Sequence, residues 1–269
     1  MLVTHFLRRA MLHTPTERLQ QELTRVFQVA AQQGHLTNPQ ALAAHFQKQT
    51  PDLIVEWLRP YVTARRQQRI EQVLEGRTYT VVPVIEGLAN TGNISAVMRS
   101  AEALGYQGFG IIKGNVQKYK TSERTSQGAD KWLDVWTWPT AAEAVPALKA
   151  AGYRVVATTL DAAAPIDTFD FTVPTALVFG NEVEGVSKTL LAQADARCVI
   201  PIVGFTQSFN ISVAAAIALY HAQRDRLARQ GRHGDLSPAW KATLRAVFYL
   251  RSVQKAGVLL WERLQREGG

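Results

Sequence analysis

The chain has 269 residues, 46% of them hydrophobic, and a net charge of +8, which is enough material for one large domain or for one domain with an appendage. A charged fraction of 19% and the lack of an 18-residue apolar run exclude a disordered tail protein and a membrane-spanning protein. The single cysteine, Cys198, excludes an intramolecular disulfide and any CxxC metal or redox motif.

The chain begins with a short apolar stretch that precedes its first charged residues, Arg8 and Arg9. A secretory signal has a longer apolar core, placed after its charges rather than before them. We therefore expect a cytoplasmic protein.

Short helices are predicted in the N-terminal sixty residues. Thr14-Pro15-Thr16-Glu17 is a capping box with proline at the first helical position. Asn38-Pro39 and Pro51-Asp52 begin two further helices. We expect residues 1–76 to form an N-terminal helical extension.

A basic helix is predicted from Thr63 to Leu74, before Gly76. Its arginines lie opposite its apolar residues, an arrangement that a merely solvated helix also shows. The charge is unevenly distributed along the chain: residues 1–78 carry ten Lys/Arg against six Asp/Glu, residues 79–221 ten against twelve, and residues 222–269 ten against four. A near-neutral middle between basic ends indicates a compact unit whose ends hold a polyanion, most simply nucleic acid.

From Thr78 onward the pattern alternates between strands and helices. Short apolar segments predict strands, and the stretches between them have helical spacing, so we expect an α/β fold with a mostly parallel sheet and helices on both faces. Ligands in such sheets bind at the carboxyl ends of the strands. The predicted strands are Thr80–Ile85, Gly108–Ile112, Tyr153–Thr158, Ala176–Phe179 and Cys198–Pro201, and the predicted helices between them are Ile94–Leu104, Ala141–Ala151 and Ser187–Ala194.

Several familiar catalytic motifs are missing from the sequence. It contains no GxxxxGK[ST], HExxH or GxSxG, and its six histidines show no metal-ligand spacing. Gly108-Phe109-Gly110 lies within a strand candidate instead of after it, so it is no dinucleotide fingerprint. These absences disfavour nucleotide hydrolysis and hydride transfer.

The first of three polar loops runs from the first strand into a helix. Asn93 stands where it can cap that helix, and the apolar stripe leaves Ser95 and Arg99 one turn apart on the polar side. A guanidinium one to two turns from a helix N-terminus is a good cradle for phosphate. The alternative is that Asn93 is only a cap and Arg99 only solvated.

The second polar loop runs from Phe179 to Ser187. Its paired glycines suit a sharp turn, and Glu182 lies just past a strand end, where a carboxylate can receive a hydroxyl or an ammonium group. An Asn-Glu turn before a serine cap is also ordinary, so this loop alone decides nothing.

The third polar loop runs from Ile200 to Asn210 and leads into an alanine-rich helix. Asn210 is expected to cap this helix. The helix is apolar nearly all round, which predicts that it is buried. By itself it could be just a core helix.

The three loops together are more specific than any one of them. The pattern is Asn93-x-x-Ala96-x-x-Arg99, then Gly180-Asn181-Glu182-x-x-Gly185, then Ile200-Pro201 with Ser208-x-Asn210-x-Ser212-x-Ala214. In this order and spacing it resembles the SpoU (TrmH) family of RNA ribose 2'-O-methyltransferases, within the SPOUT superfamily, over about residues 61–230. The helix that begins at Thr63 is similar to the entry helix of the tRNA guanosine-2'-O-methyltransferases.

The resemblance implies features that composition and periodicity do not. It implies a SPOUT-type domain over residues 77–230 with a C-terminal trefoil knot, followed by a basic helical arm over residues 231–269. It further implies S-adenosylmethionine as cofactor, a homodimer whose active site takes residues from both subunits, and neither metal nor membrane. The catalytic residues it implies are Arg99, Asn93, Glu182, Ser208 and Asn210, and those of the cofactor pocket are Thr158, Gly180, Ile200 and Phe209.

The expected substrate is RNA. Relatives that modify ribosomal RNA often carry a small α/β domain before the methylase, whereas residues 1–60 look helical. Together with the helix that begins at Thr63, this favours tRNA and its D-loop guanosine at position 18. The alternatives are a 23S rRNA methyltransferase and a non-catalytic RNA-binding protein on the same fold. Arg99 is either the base or a clamp on the neighbouring phosphate, and we favour the clamp because a guanidinium is costly to deprotonate. The expected RNA contacts are Arg65, Arg66, Arg69, Arg77 and Arg124.

Overall fold

The structure is a computed structural model that describes residues 12–36, 38–47, 50–88, 90–114, 128–161, 163–181 and 184–267. It divides into two compact units. The sheet unit is built on residues 77–235, and the helical unit on residues 13–76 together with residues from 236 onward. The sequence pattern treats residues 1–76 and 231–269 as separate segments, whereas most of both lie in one helical unit.

The sheet unit contains a seven-stranded sheet whose strand pairs are all parallel, in the order β3-β2-β1-β6-β4-β7-β5. The predicted α/β class is confirmed. The sequence pattern missed β3, whose residues alternate between buried and exposed, and β5, which has only two residues. The strands are β1 (Val81–Glu86), β2 (Gly108–Ile112), β3 (Asp134–Trp138), β4 (Arg154–Thr158), β5 (Ala164–Pro165), β6 (Thr175–Phe179) and β7 (Ala196–Val199).

Helices flank this sheet and enclose its core. The central strand β1 is buried along its whole length, as expected for an apolar strand covered on both faces. The core also includes Val97, Phe109 and Leu219, and the buried hydroxyl of Tyr106 donates to the Leu219 carbonyl at 2.6 Å. The helices of the sheet unit, numbered after four in the helical unit, are α5 (Thr91–Ala103), α6 (Ala141–Ala150), α7 (Lys188–Gln193) and α8 (Ile211–Gln230).

A buried ion pair fixes the C-terminal end of the sheet unit. The Arg226 guanidinium, fully buried on α8, lies 2.6 Å from the Asp235 carboxylate. Asp235 also accepts hydrogen bonds from the hydroxyls of Thr78 and Thr80, just before and at the start of the central sheet. A buried charge is tolerated only when it is paired and hydrogen-bonded. This network explains why the sheet unit extends to Asp235 rather than ending at the predicted residue 230.

The helical unit begins where the sequence predicts. The backbone N–H of Glu17 donates to the Thr14 hydroxyl at 3.2 Å and Glu17 accepts from the Thr14 N–H at 2.7 Å, which confirms the capping box. The Thr63 hydroxyl likewise caps the basic helix. The helices of this unit are α1 (Pro15–Gln32), α2 (Pro39–Gln47), α3 (Pro51–Leu58), α4 (Ala64–Glu75), α9 (Pro238–Ser252) and α10 (Ala256–Glu267), with a 3-10 turn at Arg59–Tyr61.

One buried carboxylate joins the two parts of the chain that form the helical unit. Glu22 on α1 lies 3.1 Å from Arg18 and 2.9 Å from Arg251 of α9. Burial alone raises the pKa of the Glu22 carboxyl, but the arginines outweigh it and lower that pKa to about 2.

Among the helices the structure describes, none is long and apolar enough to cross a membrane.

Candidate active site

The three polar loops lie at one edge of the sheet. They follow β1, β6 and β7, and we call them loop 1 (residues 87–93, which includes the first turn of α5), loop 2 (residues 180–187) and loop 3 (residues 200–210). The carboxyl ends of parallel strands meet at the same edge, which is where open α/β sheets bind ligands. The predicted placement of the three loops is thereby confirmed.

Loop 1 ends in a cap that differs from the predicted one. Asn90, not Asn93, caps α5: its side-chain oxygen accepts from the N–H groups of Gly92 at 2.8 Å and Asn93 at 3.3 Å. A Cβ at Gly92 would lie 3.0 Å from that oxygen, so glycine is the residue that leaves room for the cap. Asn93 is therefore in the first turn of the helix and is not its cap.

The exposed face of α5 carries Arg99 but not Ser95. Ser95 is fully buried and faces the core, so the prediction that both lie on the polar side is wrong for Ser95. Helix α5 packs against α8, and residues beyond the predicted apolar stripe are buried on it. Arg99 is exposed, as a residue that binds an external phosphate must be.

Loop 2 is a tight turn that requires glycine. Asn181 and Gly185 exchange two backbone hydrogen bonds of 3.1 Å, and Gly185 has a φ of +68°. A Cβ on Gly180 would lie 2.0 Å from the carbonyl carbon of Gly185, so any other residue would open the turn. Glu182, the predicted catalytic carboxylate of this loop, lies outside the described residues.

A contact that the sequence analysis missed joins loop 2 to the end of β1. The buried Glu86 carboxylate accepts from the Ser187 N–H at 2.9 Å and from the Ser187 hydroxyl at 2.6 Å. Two signals were visible in the sequence, a carboxylate directly after an apolar strand and a serine cap at the end of loop 2. Neither signal predicts that the two residues are in contact.

Loop 3 approaches loop 1 through two asparagines. Asn210 caps α8 as predicted, accepting from the Ser212 N–H at 2.9 Å and from its hydroxyl at 2.6 Å. Its amide also donates to the side-chain oxygen of Asn93 at 3.5 Å. The predicted catalytic residues Asn93 and Asn210 are thus brought together. Ser208 is exposed in the same loop, and its carbonyl accepts from the Thr206 hydroxyl at 3.2 Å.

The backbone of loop 3 is open to a ligand. Within the described part of the chain, none of the backbone N–H groups from Ile202 to Phe209 has a hydrogen-bond partner. The Val203 and Phe205 side chains project from the loop and are completely exposed. Unpaired main-chain donors beside a strand edge suit a polar, flat ligand that is bound through the backbone.

The predicted cofactor residues lie around the same edge. Thr158 ends β4, and its hydroxyl donates to the Val178 carbonyl of β6 at 2.9 Å, so its side chain fixes the strand ends. Gly180 begins loop 2, and Ile200 and Phe209 lie near the two ends of loop 3. Ile200 is half-buried and Phe209 is 36% exposed, so both leave apolar surface at the edge.

Helix α8 is not buried on all sides as predicted. Its inner face packs on the core through residues such as Ala215 and Leu219, but Val213, Ile217 and Tyr220 are exposed. Its first half, residues 211–220, is apolar nearly all round, yet only one side of it meets its own sheet unit. An exposed apolar stripe of this kind is typical of an interaction surface.

The predicted RNA contacts divide into three groups. Arg65, Arg66 and Arg69 are exposed on α4 of the helical unit. Arg77 is 1% exposed and donates to the Glu102 carboxylate at 2.6 Å and to the Tyr106 carbonyl at 2.9 Å, so its prediction as an RNA contact is wrong. Its guanidinium binds groups inside the sheet unit instead of RNA. Arg124 lies outside the described residues.

Comparisons with known proteins agree with this geometry. The model of the SpoU rRNA Methylase family matches residues 80–220. A tRNA (guanosine(18)-2'-O)-methyltransferase of Aquifex aeolicus is 34% identical over 175 residues, which cover 65% of this chain and 82% of that protein. The enzyme of the same name from Thermus thermophilus is 39% identical over 168 residues, covering 61% and 85% respectively.

A solved structure extends the likeness to the fold. The crystal structure of the A. aeolicus TrmH/SpoU tRNA modifying enzyme matches with a TM-score of 0.62 and 32% sequence identity, over 69% of this chain and 95% of that one. The matched part of the family model spans all three loops.

Proposed function

The chain belongs to the SpoU rRNA methylase family, and from that premise we propose that it transfers a methyl group from S-adenosylmethionine to the 2'-hydroxyl of a ribose in RNA. We propose tRNA as the substrate and the D-loop guanosine at position 18 as the target, since the relatives described above are named for that reaction. The observation that carries the proposal is the contact between Asn93 and Asn210 at the sheet edge, with Arg99 exposed on the same helix as Asn93.

The loops fit the cofactor. S-adenosylmethionine supplies, when bound, an electrophilic methyl group on a sulfonium. The open backbone of loop 3 and the glycine turn of loop 2 offer main-chain groups for its polar parts, and Phe209 and Ile200 offer apolar surface for its ring. Thr158 and Gly180 complete the proposed pocket.

Arg99 acts in this proposal as a clamp rather than as a base. A guanidinium stays protonated across the neutral range and presents paired donors that match a phosphate. Held by Arg99, the phosphate beside the target ribose orients the 2'-hydroxyl and takes part in removing its proton. Asn93 and Asn210 hold loops 1 and 3 together around the ribose, and Glu182 and Ser208 contact the substrate from loops 2 and 3.

The exposed apolar residues support a homodimer. Val213, Ile217 and Tyr220 form a stripe on α8, and the apolar side chains of loop 3 precede it in the chain. We propose that a second copy covers this surface and that residues of both copies complete each active site. The same proposal includes the trefoil knot that the family implies. In it, the knot brings loop 3 to the cofactor.

The helical unit is proposed as the RNA-binding part of the chain. Arg65, Arg66 and Arg69 are the contacts we assign to phosphates, which provide affinity more than sequence selection. We also propose that the enzyme is cytoplasmic, in keeping with a tRNA substrate.

The deciding experiment maps methylated riboses after the purified protein and the methyl donor are incubated with unmodified tRNA and with 23S rRNA. We expect one new 2'-O-methyl group, at guanosine 18 of tRNA. Methylation confined to rRNA would overturn the substrate. A protein that bound RNA but neither bound the donor in calorimetry nor methylated either RNA would overturn the enzymatic assignment.

A further inference from the structure

Helix α4 separates its charges onto two faces. Its two carboxylates, Glu71 and Glu75, pair with α9: Arg245 lies 2.7 Å from Glu71, and Lys241 lies 2.6 Å from Glu75. The bidentate contact with Arg245 lowers the pKa of the Glu71 carboxyl. The acidic residues of α4 are therefore neutralised within the helical unit.

The other face of α4 is basic. Arg65 and Arg69 form no ion pair within the residues the structure describes, and both side chains are exposed. A cavity of about 660 Å³ lies on this face, and its lining residues within the described chain include no carboxylate. Since Glu71 and Glu75 are already paired with α9, the exposed guanidinium groups of Arg65 and Arg69 give this face a positive charge that favours an external anion. The residues lining the cavity, here called the arginine face, are Thr63, Arg65, Arg66, Gln68, Arg69 and Gln72.

An exposed aromatic residue precedes the arginine face in the chain. Tyr61 ends the 3-10 turn that precedes α4, and 56% of its surface is exposed. Thr63, two residues further on, caps α4 and lines the cavity. Two residues of chain span at most about 7 Å, so the backbone of Tyr61 lies within that distance of the arginine face.

The turn that presents Tyr61 is held in place from both sides. The Gln67 side-chain amide donates to the Val62 carbonyl at 2.7 Å and to the Arg59 carbonyl at 3.2 Å. Val62 itself is buried and anchors the residue after Tyr61 in the helical unit. A ring on a fixed turn loses little conformational freedom when a ligand stacks on it, which favours binding.

We propose that Tyr61 stacks on an unpaired base of the RNA whose phosphates lie on the arginine face. The inference rests on the proposed function, and it narrows the RNA at this surface to a loop or single strand. Bases in an A-form duplex are stacked on one another and do not offer a free face, whereas aromatic side chains bind splayed-out bases. A basic surface close to an exposed aromatic residue is the combination used for single-stranded nucleic acid.

The test compares binding of two RNAs in the absence of methyl donor: the unmodified D-arm hairpin, which has a loop, and a blunt RNA duplex, which has none. We expect Tyr61→Ala to weaken hairpin binding by about 5- to 100-fold, the range for loss of one stacked base. Tyr61→Phe keeps the ring and should stay within about twofold of the parent. Val29→Ala, at a half-exposed apolar residue of α1, is the matched control and should change nothing.

Salt dependence separates stacking from phosphate contact. Tyr61→Ala should leave the slope of log affinity against log salt unchanged, while Arg65→Ala and Arg69→Ala should each reduce it by about 1. Parent-like hairpin binding by Tyr61→Ala, an equal loss on the duplex, or a changed slope would overturn the inference. If Tyr61→Ala methylates normally and binds the hairpin as the parent does, only the stacking is overturned. If hairpin binding depends on Tyr61 but the parent methylates nothing, only the proposed reaction is overturned.

Discussion

Ser187 donates two hydrogen bonds to the Glu86 carboxylate, although the two residues are 101 positions apart in the chain. The Ser187 hydroxyl also accepts from the Leu190 N–H at 3.2 Å, as the cap of α7. One buried carboxylate thus holds loop 2 against the end of β1 and orients the helix that follows.

Replacing Glu86 should loosen loop 2 without removing a reacting group. Glu86→Ala deletes both acceptors, and hydrogen bonds to a charged group contribute about 1.5–3 kcal/mol each, so we expect the KM for the methyl donor to rise at least tenfold. Glu86→Gln keeps the volume and one acceptor and should retain most activity. Steady-state kinetics and calorimetry of donor binding measure both variants. A Gln variant as inactive as the Ala variant, at equal stability, would point instead to a role of the charge in proton transfer.

Gly180 and Gly76 form a matched pair for testing loop 2. A Cβ at Gly180 meets the Gly185 carbonyl carbon at 2.0 Å, whereas a Cβ at Gly76, after α4, meets only the Val73 carbonyl oxygen at 3.7 Å, an ordinary contact. Gly180→Ala should therefore abolish donor binding, and Gly76→Ala should bind the donor as the parent does. Calorimetry with S-adenosylmethionine is the measurement. Equal binding by both variants would mean that loop 2 does not form the cofactor pocket.

Arg99 should affect turnover more than cofactor affinity. Arg99→Ala removes the proposed phosphate clamp and should lower kcat by about 100-fold or more, since positioning terms of that size are typical, while donor binding stays unchanged. Arg99→Lys keeps the charge but loses the paired donors and should recover only part of the activity. Full activity of the lysine variant across neutral pH would argue against the clamp.

The helical unit should lose stability in acid through Glu22. Its pKa is about 2 in the folded protein against 4.5 in a free side chain, so its contribution is fully present above about pH 4.5 and is lost as the pH falls toward 2. A shift of this size corresponds to about 3 kcal/mol. Urea unfolding of the parent and Glu22→Gln at pH 7 and pH 3 should show the parent losing more than half of this increment and the variant largely lacking it. Glu71→Gln, at an exposed ion pair, is the control and should show a smaller effect.

The exposed stripe on α8 should decide the oligomeric state. A charge placed in an apolar interface between two copies is costly to bury, so Ile217→Asp should convert a dimer of the 29.8 kDa chain to monomers and abolish methylation. Val29→Asp, at an apolar residue of α1 with similar exposure, is the control. Light scattering gives the mass. A monomeric parent with full activity would contradict the proposed dimer.

Local patterns were sufficient for much of this protein. The capping box at Thr14, the single side-chain caps, the five apolar strands and the polar loops each depend on residues close together in sequence. Periodicity and cap chemistry therefore predict them. Because parallel strands end at one edge, the common position of the three loops also followed from the pattern. The candidate site was in this sense located before its contacts were known.

The tertiary structure decided everything that depends on residues distant in sequence. Arginine is usually a surface residue, but Arg77 is buried because its guanidinium donates hydrogen bonds to the Glu102 carboxylate and the Tyr106 carbonyl. Asn90 rather than Asn93 caps α5, and the Asn93 side chain accepts a hydrogen bond from the Asn210 amide. The burial of a charge and the meeting of two loops are settled by which partners the fold brings within hydrogen-bond distance, and a linear sequence carries no local signal of that distance.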